Sequence, residues 1–430
     1  PENPEQGPAA IQVIQRLVAH LAVVEGRAAR PAADDAHSFS VDTDTLLAVV
    51  REEGLELNRL QQQALARTHR DMRSRRPARL LLNGAAGTGK TAVYGAALVA
   101  VARMGGRAAL VAPGQVRAEQ VVRSLTDLWP RDAIRQRNEP LHEALPAEGV
   151  TVTHGDLLDP AAAGADLLVV LEPAGLPDKW QRHCRETAGN LVEVTDGCLP
   201  DAAAQLDHAG MDGLTLARAI HAKQMTSNIL ERKRVPELEA TIQQQLEGDA
   251  QVMVVHPSSG GRGRSRRPPE HGTFQAWEKA FPGRLHRIQD GMKDEEITEV
   301  VGPLSAERPG VLFTPADLVA RVKLPELRYL ILFNPEQFGP AERVRLRGHL
   351  APRGGRAQLD LITDQAKDEA VMRLLRELVE TEDGCAVVMN DLRRRAAQEL
   401  DADTEAEPGW SILPGRLPDP DLVTEYIARV

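Results

Sequence analysis

Aromatic side chains make up only 3% of this 430-residue sequence, so whatever cores it builds must be aliphatic. Cysteine is nearly absent as well. Cys184, Cys198 and Cys385 are scattered, odd in number and without ligand spacing. That pattern excludes a disulfide framework, argues against a cysteine metal site and fits a reducing compartment, with the cytoplasm as the expected one. No apolar run approaches membrane-spanning length and no signal peptide is visible, so no membrane partner is expected. An excess of positive charge is missing too: 52 Lys and Arg stand against 62 Asp and Glu, a formal net charge of −10. The molecule as a whole therefore has no general attraction for nucleic acid, and any such binding must use local basic patches. The sequence begins at Pro1 without Met, which suggests a processed protein or a fragment.

Hydrophobic content of 42% and charge of 27% are ordinary for a globular chain, and the length allows two or three domains. One stretch carries the chemistry. Leu80, Leu81 and Leu82 read as a buried parallel strand, and Ala92 onward reads as a helix. Between them Gly84, Gly89, Lys90 and Thr91 fill the pattern G-x-x-x-x-G-K-[ST], with Gly87 and Thr88 inside it. Glycines are needed there because the backbone must wrap a phosphate closely, its N–H groups turned inward at a helix N-terminus. Lys90 is expected to reach the β- and γ-phosphates of ATP, and the Thr91 hydroxyl to hold Mg²⁺.

The rest of the chain alternates. Ile11, Ile14, Leu17, Val18 and Leu21 recur at helical spacing, so residues 9–25 read as an amphipathic helix, followed by a polar linker and a short helix near Thr43–Glu52. A helix from Leu57 to about Met72 precedes the glycine-rich turn. Strands are expected at Ala108–Ala112, Val150–Val152, Asp166–Leu171 and Leu191–Val194, with a helix over Ala118–Leu128. A helical stretch, Leu214–Glu247, bridges to further strands at Gln251–Val255, Val311–Phe313, Arg328–Phe333 and Ala357–Ile362. Continuous apolar strands alternating with helices mean parallel sheets covered on both faces. The expected organisation is a helical arm over 1–51, one α/β domain over 52–215, a second over 216–366 and a helical tail over 367–430.

The order of these segments resembles RecG, the branched-DNA helicase of superfamily two. The helix before Leu80–Thr91, then Val111-Ala-Pro113, Ala118-Glu-Gln120, Thr153-His154 and Leu199-Pro200 follow that family's first-domain motifs. Phe338-Gly339, Leu346-Arg347-Gly348, Arg373-Leu374, Asp383-Gly384 and Asp391-Leu392 follow its later ones. The resemblance implies two tandem RecA-like domains, ATP as cofactor with Mg²⁺, and branched or forked DNA as partner. In helicases a Gln ahead of the phosphate loop often contacts adenine, a role open to Gln61 beside that of a solvated helix face. The first 50 residues resemble the linker helix that follows RecG's wedge domain, and the wedge itself is not in the sequence.

Several positions depart from the family's pattern. Of an expected adjacent acidic pair after Asp166–Leu171, only Glu172 remains. Val319, Arg321 and Lys323 stand where RecG has Glu, Gly and Asp, and Thr195-Asp196-Gly197-Cys198 replaces a hydroxyl-rich run. His349 replaces the first arginine of Gly-Arg-x-Gly-Arg, Arg353 stands for the second only with a one-residue shift, and Ala396-Ala397-Gln398 replaces Gly-Pro-Gly in the translocation motif. Glu172 and Arg353 are thus the remaining catalytic candidates. An arginine finger is worth roughly 10³–10⁵ in rate, so losing several such parts predicts ATP binding with impaired hydrolysis and unwinding. The alternatives are a non-catalytic scaffold or nucleotide-sensing subunit with protein partners in a larger assembly, and an active ATP-dependent branched-DNA translocase. DNA contact is expected from the clusters within Arg73–Arg79, Arg262–Arg267, Arg343–Arg356 and Arg393–Arg395, chiefly Arg262, Arg264, Arg266, Arg267, Arg347, Arg393 and Arg395. The glycine-flanked run at 260–267 also reads as a solvated surface insertion.

Overall fold

A computed structural model of the chain describes residues 39–74, 77–137, 145, 148–155, 164–173, 176, 184, 188–195, 212–216, 223–258, 270–381, 384, 386–387 and 390. The expected helix over 9–25, the basic run at 262–267 and Arg393–Arg395 lie outside them.

The first domain opens with two helices, α1 (Thr43–Arg51) and α2 (Arg59–Met72). Asp42 caps α1 by accepting from Thr45 N, and Asn58 with Gln61 forms a reciprocal capping box on α2. Then follow β1 (Arg79–Asn83), α3 (Lys90–Arg103), β2 (Ala108–Ala112), α4 (Gln115–Leu128), β3 (Ile134–Gln136), β4 (Val150–His154), β5 (Leu167–Leu171), β6 (Asn190–Thr195) and β7 (Asp212–Thr215). All seven strands are parallel, in the order β3-β4-β2-β5-β6-β1-β7. Because side chains alternate along a strand, the run Leu80-Leu81-Leu82 feeds both faces. Leu80 and Leu82 join the larger core under α1–α4, and Leu81 joins the core on the opposite face. Val41, Leu46 and Val49 belong to that larger core, so α1 is part of the first domain rather than of a detached arm.

The second domain comprises β8 (Lys223–Glu231), α5 (Leu238–Glu247), β9 (Gln251–His256), α6 (Glu270–Ala280), β10 (Leu285–Arg287), α7 (Asp294–Ser305), β11 (Gly310–Pro315), β12 (Leu327–Phe333), α8 (Pro340–Gly348), β13 (Gly355–Thr363) and α9 (Glu369–Glu380). Its six strands are again all parallel, ordered β10-β11-β9-β12-β13-β8. Two tandem parallel sheets with flanking helices are the expected fold class. The few aromatics are concentrated here: Phe274 and Trp277 of α6 meet the Phe313 ring edge-on at centroid distances of 5.2 and 5.6 Å.

The helical bridge expected over Leu214–Glu247 is a correction. Residues 212–215 close the first sheet beside β1, and Lys223–Glu231 pair with Gly355–Thr363 along nine positions before α5 begins. None of the β8 residues is buried, as expected of an edge strand, so the period-2 apolar signal that marks the inner strands is missing there. Sheet pairing overrides local helix preference at that edge.

Candidate functional site

The glycine-rich turn runs from the C-terminal end of β1 into α3, as the pattern demands. Gly87 and Gly89 sit at φ +81° and +83°, the left-handed region that side chains avoid, and Gly89 is the N-cap of α3. Lys90 is buried. Its ammonium donates to the Gly84 carbonyl and, at 3.0 Å, to that of Ala85, so it braces the entry to its own loop. Thr88 Oγ1 donates to Ala85 O at 2.9 Å, and the Thr91 hydroxyl accepts from Tyr94 at 3.2 Å.

Gln61 is 2% exposed and acts on this loop from behind. Its Nε2 donates to Thr88 O at 2.9 Å while its Oε1 accepts from Asn58 N at 2.9 Å. Both ends of the amide are thus engaged inside the protein. In this structure Gln61 tethers the loop to the capping box of α2, neither lying on a solvated face nor offering an edge to a base.

The second domain closes over the loop. Ala86 N donates to Gly348 O at 3.1 Å, and Lys223 Nζ donates to both Ala86 O and Leu350 O at 2.8 Å. A Cβ on Gly87 would lie 2.2 Å from Pro352 O, so glycine is required there for this closure as well as for its φ. What remains is a cavity of about 190 Å³, lined among others by Lys90, Thr91, Tyr94, Arg117, Glu172, Lys323 and Arg353. That is smaller than the roughly 300 Å³ at which ligand pockets usually begin.

Glu172 follows β5 directly, at φ 45°, with its carboxylate 4% exposed. A non-glycine residue in this region carries strain, and such strain clusters at functional sites. Across the cleft the guanidinium of Arg345, on α8, stands 3.9 Å from that carboxylate. Arg353 also lines the cavity, but its guanidinium is engaged by Glu326 and, at 2.6 Å, by Glu307. Those carboxylates, Glu307 foremost, hold it above its ordinary range, and Arg353 in turn pulls Glu307 down. Sequence reasoning missed Arg345. The signal was helical phase: Arg343 and Arg347, four apart, are buried, which turns Arg345 the other way.

Mg²⁺ fits this donor set poorly. Thr91 offers a hydroxyl and Glu172 a single carboxylate that already faces Arg345, and among the described residues no group of three His, Cys, Asp or Glu side chains is assembled. Beside Thr91 the cavity therefore offers a hard cation one carboxylate, Glu172, which it would share with Arg345.

A second cross-domain contact centres on Asp294, the first residue of α7. Helix α4 begins after Gly114, which has no side chain with which to cap it. Asp294 supplies the missing acceptor from the other domain: Gln115 N donates to its Oδ2 at 2.7 Å, and Arg321 to its Oδ1 at 2.6 Å. His154 Nδ1 lies 3.7 Å away. Nearby, Gln120 donates to Lys323 O at 2.8 Å, and Val116 packs into the second domain's core.

Among the arginines expected at DNA, Arg347 requires correction. It is 7% exposed and donates to Leu378 O and Thr381 O, both at 2.6 Å, so it caps the C-terminus of α9 instead of facing a ligand. Arg79 and Arg343 are likewise buried, the first bonded to the carbonyls of Ala78, Ala188 and Gly189. Arg73 and Arg356 remain exposed.

No protein-family model matches the chain. It is similar to the ATP-dependent DNA helicase RecG of Streptococcus pneumoniae, 22% identical over 365 residues, covering 80% of this chain and 54% of the relative. The chain spans about half the length of the curated relatives it matches. In architecture it is similar to RecG bound to a three-way DNA junction, with a TM-score of 0.68 at 17% identity, over 96% of this chain and 56% of that one. It is also similar to Saccharomyces cerevisiae Dbp5 bound to RNA and ADP BeF3, with a TM-score of 0.56 at 12% identity, over 84% and 98% respectively. At these identities the structural likeness establishes the fold, that of the tandem RecA-like helicases.

Proposed function

We propose that this chain is a RecG-like protein of the helicase fold that binds ATP at residues 84–91 and binds DNA, while hydrolysing ATP slowly or not at all. The observation that carries this reading is the cavity itself. An intact phosphate loop faces one carboxylate, Glu172, that is already beside Arg345, while the guanidinium of Arg353 is engaged by Glu307 and Glu326. Binding needs mainly the loop backbone and Lys90. Turnover needs a polarising carboxylate and a cation free to meet developing charge, which together are worth several orders of magnitude in rate.

The named relatives act on or are bound to nucleic acid, which supports DNA, forked or branched, as partner. Contacts with it would come from exposed arginines such as Arg73 and Arg356 and from the runs at 262–267 and 393–395. The three cysteines and the helicase likeness fit a reducing, nucleic-acid-containing compartment such as the cytoplasm.

The test is titration calorimetry with ATP alongside a steady-state ATPase assay, with and without forked DNA. The expected result is ATP binding with no more than weak hydrolysis and little stimulation by DNA. Robust DNA-stimulated hydrolysis would return the chain to the active translocases. DNA binding should itself fall with salt at a slope of roughly −0.9 per phosphate neutralised, and no detectable binding at low salt would favour a scaffold or nucleotide-sensing subunit.

A further inference from the structure

We infer that Arg117 is the specificity-determining residue of the nucleotide site: its guanidinium binds the terminal phosphate and makes the site prefer a nucleoside triphosphate to a diphosphate. This rests on the nucleotide-site reading above and deepens it. Four cationic side chains, Lys90, Arg117, Lys323 and Arg353, line the cavity. Three of them have partners inside the protein: Lys90 at the Gly84 and Ala85 carbonyls, Arg353 at Glu307 and Glu326, and Lys323 as well. Arg117 differs. Among the described residues it makes no hydrogen bond and no ion pair, although it is only partly exposed. A guanidinium cannot shed its charge, so at this wall of the cavity the charge is left for an anion to meet.

The fold places that charge at the far end of the site. From β1 the sheet continues through β6 and β5 to β2. The phosphate loop follows β1, Glu172 follows β5, and α4, with Arg117 in its first turn, follows β2. At about 4.8 Å per strand, α4 springs from a strand roughly 14 Å from that of the loop, beyond Glu172. A cavity of about 190 Å³ admits a phosphate chain but not a whole nucleoside triphosphate, so the part of the ligand that reaches across it is the end of that chain. Arg117 is also held in place for such a contact. Its neighbours Val116 and Ala118 are buried, the first in the second domain's core and the second in that of the first, and Gln115 N is fixed by Asp294. The backbone that presents the guanidinium is therefore ordered before a phosphate binds. A cation that binds the terminal phosphate equally well in the substrate and in the transition state raises affinity without raising turnover, which agrees with slow hydrolysis.

The experiment is titration calorimetry of the full chain with the non-hydrolysable β,γ-imido analogue of ATP and with ADP, for the unmodified chain, Arg117→Gln and Arg117→Lys. The unmodified chain should bind the triphosphate at least about tenfold more tightly than ADP, the worth of one charge-assisted hydrogen bond. Arg117→Gln should lose about that factor for the triphosphate and stay within about threefold for ADP, while Arg117→Lys keeps part of the preference. The urea midpoint of both variants should match that of the unmodified chain, since the side chain has no partner to lose. Equal losses for the two nucleotides would overturn the inference and leave the nucleotide site standing. So would an unmodified chain that binds both equally, or an Arg117→Gln variant that keeps the full preference. Binding of neither nucleotide by the unmodified chain would overturn the nucleotide site itself, and this inference with it.

Discussion

Gln61 and Lys90 show how single side chains hold the phosphate loop before any ligand arrives. Each end of the Gln61 amide is buried and bonded, one to the Asn58 N–H and one to the Thr88 carbonyl. Gln61→Ala removes both partners and should cost about 1–3 kcal/mol, read as a lower urea midpoint with an unchanged slope. If instead Gln61 serves only a base, the variant will keep its stability and lose only adenine selectivity. Lys90 has a double task. Its ammonium now rests on the Gly84 and Ala85 carbonyls and must leave them to meet phosphate. Lys90→Ala should weaken ATP binding by about tenfold or more, since a hydrogen bond to a charged group is worth about 1.5–3 kcal/mol. Unchanged binding by calorimetry would move the nucleotide elsewhere.

At the scale of elements, α4 depends on a cap from the other domain. Asp294→Ala deprives Gln115 N–H and Arg321 of their acceptor and should destabilise the molecule by about 1.5–3 kcal/mol in urea unfolding. Asp294→Asn keeps a cap acceptor for Gln115 N and should recover part of that loss. Edge strand β10 carries a pH response. Burial lowers the His286 pKa below 6.5, its value in the unfolded chain, outweighing a hydrogen bond that the ring donates to the Val300 backbone and that raises it. Protons then bind the unfolded state preferentially, so stability should fall as pH drops below about 6.5 and level off under the folded-state pKa. His286→Gln should flatten that part of a denaturation-versus-pH curve. These elements also show what was readable in the sequence. The inner strands were, because apolar runs such as Leu80–Leu82 and Ala108–Ala112 are dictated by burial on both sheet faces. The edge strands β3, β7, β8 and β10 were not, since short or half-exposed strands lack that pattern and take their form from a neighbour. The phosphate loop was readable because its backbone geometry demands particular residue types. Arg345 and Asp294 were not, because the contacts that give them their roles, Arg345 with Glu172 and Asp294 with Gln115 N, join segments more than a hundred residues apart in sequence.

The whole molecule is held closed by contacts that nucleotide must displace. Ala86 offers its N–H to Gly348 rather than to a phosphate, Pro352 O presses on Gly87, and Lys223 ties Ala86 O to Leu350 O. Closure of this kind lowers apparent affinity by the fraction of molecules that are open at any moment. Of these contacts, Lys223 belongs to neither the phosphate loop nor the lining of the cavity, so it can be altered without touching the ligand's own contacts. Its ammonium makes one hydrogen bond across the cleft, to Ala86 O, and a second within its own domain, to Leu350 O, each worth about 1.5–3 kcal/mol before the cost of ordering the side chain. Lys223→Met keeps the length and apolar stem of the side chain while removing both bonds. The variant should populate the open cleft more, so ATP should bind faster and up to about tenfold more tightly, with the gain in the association rate measured by stopped flow. Labels on the two domains should report a longer mean distance in the free variant than in the unmodified chain. Weaker ATP binding by Lys223→Met would mean that the closed contacts build the nucleotide site instead of occluding it. The segment 348–352 would then be part of the binding surface and not a plug upon it.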